Sequence, residues 1–301
     1  GTAYCWGDDS YGRLGNGAAT SASTKPRAID TANLPSDTTF MQIELATDHA
    51  CALTTAGKAY CWGRDNFGTL GDSGSIDNDS QVPVAIDLGG ISGETRLTSL
   101  GAFSSTAYAI TGAGKAIGWG YDYAEALGTP SGSSNKPLLL DFTNVSGDQT
   151  VLRFADSAYN YQACFITLAG APYCWGNNNT GQLSFGNITR TARPTVMSRT
   201  NIVGEKSIAS VAIGGSHGCV LTSEAKPYCS GSSTRGRLGA GPSATNTYSF
   251  VPVTTSGMTD SAGKSFIALE SGWNVSCGLS GEGRAYCWGQ NSAYETGNPL
   301  L

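Results

Sequence analysis

Charged side chains make up only 14% of this 301-residue chain, and their balance is acidic, with a formal net charge of −5. No cluster of lysine or arginine offsets it, so a nucleic-acid partner is excluded, because affinity for phosphates is carried mainly by those two residues. Histidine is nearly absent, at His49 and His217. There is no Gly-x-Ser-x-Gly elbow, no phosphate-binding Gly-rich loop and no Cys-x-x-Cys. A catalytic constellation, a resident metal and a cofactor are therefore not expected, and the chain reads as non-enzymatic. No apolar run approaches the 18 residues of a membrane-spanning helix, which argues against membrane insertion. No signal peptide is present and the sequence begins at Gly1 without methionine, so a processed or partial chain is expected.

What the chain has is glycine, 41 of them, and a repeat. A Cys-Trp-Gly quartet recurs as Tyr4-Cys5-Trp6-Gly7, Tyr60-Cys61-Trp62-Gly63, Ile117-Gly118-Trp119-Gly120, Tyr173-Cys174-Trp175-Gly176, Tyr228-Cys229-Ser230-Gly231 and Tyr286-Cys287-Trp288-Gly289. The quartets are 55 to 58 residues apart, and most run on through a polar turn to Leu-Gly. A period this regular marks a repeat architecture. With no linker between repeats, one domain is expected over 1–301, in units of approximately 1–38, 39–95, 96–149, 150–204, 205–263 and 264–301.

Cysteines repeat with it. Cys51 and Cys61, Cys164 and Cys174, Cys219 and Cys229, and Cys277 and Cys287 are each ten residues apart, around turn sequences such as Thr54-Thr55-Ala56-Gly57-Lys58. In the third repeat the equivalent positions are Tyr108 and Gly118, so both cysteines are missing together. Residues opposed across antiparallel strands lie about 4.5–5.5 Å apart, within reach of a disulfide. Metal ligation needs roughly four ligands where each hairpin offers two, and buried free thiols are the remaining alternative. The disulfide reading implies an oxidising compartment, hence an extracellular or cell-surface protein. Cys5 has no partner in its own repeat, and a disulfide to a cysteine outside this sequence is expected.

Apolar alternation ahead of each first cysteine marks a first strand, as in Phe40 to Leu45; the first-cysteine segment is the second and the Cys-Trp-Gly segment the third. A short outer strand opening with Pro26, Pro83, Pro137, Pro194 or Pro252 is the fourth. Four short antiparallel strands per repeat describe an all-β chain, a β-propeller of six or seven four-stranded blades whose terminal blades are incomplete. Trp62, Trp119, Trp175 and Trp288 are then expected between blades, with Trp273 outside the motif. Asp9, Asp65, Asp122, Asn178 and Asn291 should each bond to the backbone two residues on, with Gly12, Gly68, Gly181 and Gly236 at positive φ; Glu125, in the place of that glycine, should alter the third turn.

These motifs resemble the repeat of the regulator of chromosome condensation family, most closely at Trp175-Gly176-Asn177-Asn178-Asn179-Thr180-Gly181-Gln182-Leu183. The resemblance implies a propeller of about seven blades. The family's founding activity is nucleotide exchange on the GTPase Ran with chromatin binding, and an acidic chain with no basic tail gives it no support. The cysteine-rich pattern looks like the family's extracellular branch, which includes a secreted inhibitor of β-lactamases.

Recognition is expected in the loops after the Leu-Gly turns, residues 16–25, 72–82, 129–136, 184–193 and 240–251, which vary while the blade motif does not. The aromatic candidates there are Tyr11, Phe67, Tyr121, Tyr123 and Tyr248, with Tyr159 and Tyr161 elsewhere. Acceptor sequons for N-glycosylation stand at Asn78, Asn144, Asn178, Asn187 and Asn274. The oxygen-rich segment Asp72 to Ser80 lacks the spacing of a calcium loop and reads as solvated. The function expected is an interaction scaffold for protein or glycan, a module of an adhesin, appendage or fibre, with neighbouring subunits as further partners. A secreted enzyme inhibitor and a carbohydrate-active enzyme are the alternatives. From Trp288 to Pro299 the chain is shorter than in earlier repeats, so the last outer strand should be short or absent.

Overall fold

The structure is a computed structural model that describes residues 2–18, 22–94, 96–157, 161–204, 206–260 and 265–297. Tyr159 and Pro299 lie outside them. The chain is all-β, its sheets are propeller blades, and it forms two compact units, Gly1–Asp141 and Phe142–Leu301.

The first unit contains three sheets. β1 (Tyr4–Gly7) pairs with β2 (Ser23–Ala28). Two four-stranded sheets follow: β3 (Phe40–Leu45), β4 (His49–Thr54), β5 (Ala59–Gly63) and β6 (Ser80–Ala85), then β7 (Leu97–Phe103), β8 (Thr106–Thr111), β9 (Ala116–Gly120) and β10 (Ser134–Leu139). In the second unit β11 (Val151–Phe154) pairs with β13 (Gln162–Thr167), which continues through β14 (Pro172–Gly176) to β15 (Thr191–Val196). β16 (Ile208–Ile213), β17 (His217–Thr222), β18 (Pro227–Gly231) and β19 (Thr247–Pro252) form the next sheet. The last is β20 (Phe266–Ser271), β21 (Val275–Ser280) and β22 (Ala285–Gly289). One strand had no signal in the sequence: the two-residue β12 (Asp156–Ser157) adds parallel to β16, opposite Ala212 and Ile213.

The outer strands start earlier than their prolines suggest. They open at Ser23, Ser80, Ser134, Thr191 and Thr247, each of which donates its side-chain hydroxyl to the carbonyl two residues on. The register against the third strand shifts beside this turn, so the proline falls within the strand.

The polar turn works differently from the expected short-range bond. Asp9, Asp65, Asp122 and Asn178 accept the backbone N–H five residues on, that of Leu14, Leu70, Leu127 and Leu183, at 2.8–3.0 Å. The carboxylate or amide thus closes the whole turn onto the buried leucine. Gly12, Gly68 and Gly181 do have positive φ, and Gly12 meets a second constraint: a Cβ there would lie 2.7 Å from Gln81 Cα on the next blade's outer strand. The third turn keeps the same shape, because Glu125 itself adopts φ 66°.

The core lies between neighbouring sheets. One cluster joins Ile29 of the first repeat to Ala50, Ala52 and Trp62; another joins Cys51, Leu53 and Cys61 to Leu100, Ile117 and Trp119; in the second unit Cys219, Leu221 and Cys229 meet Phe266 and Leu269. The same joint recurs at three of the steps. Trp62, Trp119 and Trp288 donate Nε1–H to the carbonyls of Arg13, Thr69 and Arg237, the residues just before Leu-Gly in the preceding repeat. The indole lies on the following glycine so closely that a Cβ on Gly15, Gly71 or Gly239 would fall 2.5, 2.6 or 2.9 Å from it.

Trp62, Trp119 and Trp175 are fully buried, whereas Trp288 is only partly covered and Trp6, on the two-stranded sheet, is 62% exposed. We therefore expect Trp119→Ala to cost about 3–5 kcal/mol, the scale for deleting a buried large aromatic. Trp6→Ala should fall within about 0.5 kcal/mol of wild type in the same urea titration.

Candidate interaction face

The four disulfides bridge directly opposed residues of β4 and β5, β13 and β14, β17 and β18, and β21 and β22, with Cα atoms 4.1 Å apart. Thr54 N–H bonds to the Lys58 carbonyl, so alternation along the ladder makes Cys51 and Cys61 a non-hydrogen-bonded pair, the closer kind. Each bridge closes a short loop, worth about 3 kcal/mol in the chain-entropy model. In the third repeat the Tyr108 ring covers Gly118, where a Cβ would sit 3.0 Å from it, and Tyr108 Oη donates to the Ala126 carbonyl. A buried aromatic takes the space of the missing bridge.

Both histidines are buried. His217 Nε2 lies 2.7 Å from Ser276 Oγ, the geometry of a base beside a nucleophile. Both residues are almost wholly buried, and Ser276 Oγ also shares a hydrogen with Ser271 Oγ at 2.8 Å. No substrate can reach that oxygen. His49 has the same place in β4, but Ala107 stands where Ser276 does, and its Nε2 has no partner.

On the first unit the sequence candidates come together. Tyr11 and Phe67 occupy equivalent places in their turns, at φ 64° and 65°, which throws both rings outward. Phe67 stacks on Tyr121 at 3.9 Å between centroids, and Tyr121 on Tyr123 at 5.8 Å. Three residues not picked out from the sequence complete the strip. The Arg64 guanidinium sits 4.5 Å over the Tyr11 ring, and Asp48 pairs with Arg13 at 2.9 Å and Arg64 at 3.3 Å. Their signal was available, since Arg13 and Arg64 flank the same turns that carry Tyr11 and Phe67. Tyr248 is not among them: it lies in the second unit, against Gly181.

The sequons divide. Asn78, Asn144 and Asn187 are exposed. Asn178 is a correction: it is fully buried, its Nδ2 donates to the Asn187 and Thr189 carbonyls, and its Oδ1 accepts from Leu183 N–H, so the folded chain cannot take a glycan there. Asn274 is half-buried, with Nδ2 donating to Gln290 Oε1. Among the described residues no group of three or more His, Cys, Asp or Glu is placed to hold a metal.

The regulator of chromosome condensation (RCC1) repeat matches residues 1–53 and 170–221 in one form and 47–69 and 266–295 in another. The chain belongs to the RCC1 repeat family. It is 27% identical over 97% of its length to the ultraviolet-B receptor UVR8 of Arabidopsis thaliana. To RUG3, a mitochondrial RCC1 domain-containing protein of the same plant, it is 26% identical over 100%. It spans 62% and 64% of those two proteins, and 5% of the human ubiquitin ligase HERC2. Its fold is similar to that of Prp20p from Saccharomyces cerevisiae, whose structure was described with its binding to Gsp1p and histones. The TM-score is 0.77 at 18% identity, covering 99% of this chain and 70% of that one. For human WBSCR16 the TM-score is 0.73 at 22% identity, covering 92% and 67%.

The buried histidines make stability depend on pH. Burial holds both His49 and His217 down to about 4, with Arg237 reinforcing the effect at His217 and Asp48 opposing it at His49. Between about pH 6.5 and 4 the unfolded chain binds the proton that the folded chain refuses, so stability falls as pH drops through that window, by on the order of 3 kcal/mol per histidine. Asp65, raised to about 6 by its own burial, acts with the opposite sign. A difference between variants therefore isolates the histidine: denaturation of His217→Gln should show a shallower loss of stability from pH 6.5 to 4 than wild type, and parallel profiles would contradict the assignment.

Proposed function

We propose that this protein is a non-enzymatic extracellular scaffold that binds a protein partner through the strip of Arg13, Tyr11, Arg64, Phe67, Tyr121 and Tyr123. The observation that carries the reading is the convergence of aromatic and arginine side chains from three successive repeats on one surface, the composition that dominates binding hot spots. The turn itself imposes the left-handed backbone at Tyr11 and Phe67, since Ala124 and Arg235 hold the same place at φ 55° and 61°, and both rings stand exposed at the surface.

Four disulfides support the extracellular assignment, because reducing compartments do not maintain them in ordinary proteins. Protein binding by RCC1-repeat relatives such as Prp20p points to a protein partner. Alkylating free thiols before reduction in material from the natural source should leave eight cysteines unlabelled; eight alkylated cysteines would remove the extracellular reading.

The test of binding uses Phe67→Gly, which deletes the ring and suits the positive φ, and Tyr248→Ala as a control in the other unit. Wild-type protein immobilised and exposed to the extracellular fraction of its source should retain a protein that Phe67→Gly retains at least about tenfold less and Tyr248→Ala retains equally. Equal capture by all three, or retention only of glycans after the fraction is protease-treated, would sink the proposal.

A further inference from the structure

Strands β7 and β20 each stand at the edge of their sheet, so one side of each carries backbone groups outside any ladder. In β20, Gly272 N–H bonds to the Val275 carbonyl and Glu270 stands opposite Cys277. Alternation along the antiparallel pair then turns the N–H and C=O of Leu269, opposite Gly278, away from β21. Leu100, opposite Ala109, has the same place in β7. There both groups are satisfied from the preceding sheet: the Gln42 carboxamide donates Nε2–H to the Leu100 carbonyl and accepts Leu100 N–H, each at 3.0 Å. A side chain thus does for β7 what a further strand would do.

The matching step in the second unit lacks that side chain. By register Ser210 in β16 takes the place of Gln42 in β3, each opposite the leucine that follows two residues after a bridged cysteine, Leu221 and Leu53. Serine is too short to reach across as glutamine does, and Ser210 Oγ is buried with no hydrogen-bond partner. Beside it lies a cavity of about 280 Å³ whose walls include Arg153, Ser210, Leu221, Ile267, Leu269 and Glu270. The edge of β16 is covered by β12, opposite Ala212 and Ile213; among the described residues no strand covers β20. Buried backbone donors and acceptors are almost always paired, and a carboxamide offers a donor and an acceptor side by side.

We propose that this cavity binds a primary carboxamide on a short aliphatic chain, the chemistry of glutamine, in the pose that Gln42 adopts at Leu100. The amide NH2 donates to the Leu269 carbonyl, its oxygen accepts Leu269 N–H, and Ser210 Oγ supplies a further polar contact. The aliphatic stem lies against Leu221 and Ile267. A carboxylate of the same shape fails, because it has no N–H for the carbonyl and sets a negative oxygen beside it. Arg153 and Glu270, one charge of each sign, suit the carboxylate and ammonium of the free amino acid. A glutamine side chain of a partner protein offers the same carboxamide without those charges.

The experiment follows the backbone amide resonance of Leu269 in the whole chain during separate titrations with L-glutamine, N-acetyl-L-glutamine methylamide and L-glutamate. At least one glutamine probe should move it saturably, with an affinity at least about tenfold above that of L-glutamate. A response to the free amino acid alone identifies it as the ligand; an equal or stronger response to the capped form identifies a protein side chain. Ser210→Gln should fill the cavity with its own carboxamide, shift the Leu269 resonance without ligand, raise the melting temperature and abolish the response. The comparison of glutamine with glutamate on wild-type protein stands even if that variant does not fold. Equal affinity for glutamine and glutamate, no response at Leu269 to either glutamine probe, or undiminished binding by folded Ser210→Gln would each overturn the proposal.

Discussion

The structure depends on one joint, the indole of one repeat laid on the Leu-Gly corner of the repeat before it. The N–H of Trp62, Trp119 or Trp288 satisfies a carbonyl that the turn leaves unpaired, and the ring covers a glycine with no room for a Cβ. An unmade bond at such a buried carbonyl would cost about 1–3 kcal/mol, and an uncovered glycine would open a void between sheets. Trp and Gly therefore belong to different repeats but to a single contact. The chain contains its own exception: the repeat that has Ser230 in place of tryptophan follows the corner that reads Leu183-Ser184. Ser230 Oγ donates to the Gln182 carbonyl at 3.3 Å, the acceptor a tryptophan would have used, and Ser184 holds φ 54°. Both halves of the joint have changed together.

Within each sheet a second device holds the middle hairpin, and it is replaceable. Disulfides do it in four sheets, while in the third repeat a buried Tyr108 packs over Gly118 and bonds to the Ala126 carbonyl. The His217–Ser276 contact belongs to the same class of structural polar contact, made between neighbouring second strands. His49 shows what happens without the serine: a buried nitrogen facing no acceptor, tolerable only while the ring stays neutral.

Much of this was legible in the sequence, because a repeat announces its own constraints. The period, the strand order, the Cys-Trp-Gly strand and the burial of Trp62, Trp119 and Trp175 followed from spacing alone. What was not legible depended on partners distant in sequence. The aspartate of each turn reaches five residues on to a leucine N–H, and nothing in a local pattern distinguishes that from a two-residue bond. Glu125 is expected to alter its turn, yet it takes the positive φ of the glycine it replaces. Asn178 reads as a sequon, but its amide is the element that closes the turn. The interaction strip needed both kinds of knowledge: Tyr11, Phe67, Tyr121 and Tyr123 were visible as aromatics near variable loops, while the Asp48 bridge between Arg13 and Arg64 emerges only when two sheets are side by side.

The scaffold reading rests on this rigidity, since loops and turns can carry a fixed array of side chains only if adjacent repeats are held in register by a joint that does not slide. A double-mutant cycle at one joint tests that claim most directly. Gly71→Ser and Trp119→Ser reproduce singly, and then together, the natural pair Ser184 and Ser230. Each single change should destabilise by about 2–5 kcal/mol, through a clash with the indole in one case and a cavity in the other. If the two residues form one contact, the double variant should lose less than the sum by at least about 1 kcal/mol. Additive losses in urea denaturation would contradict the account.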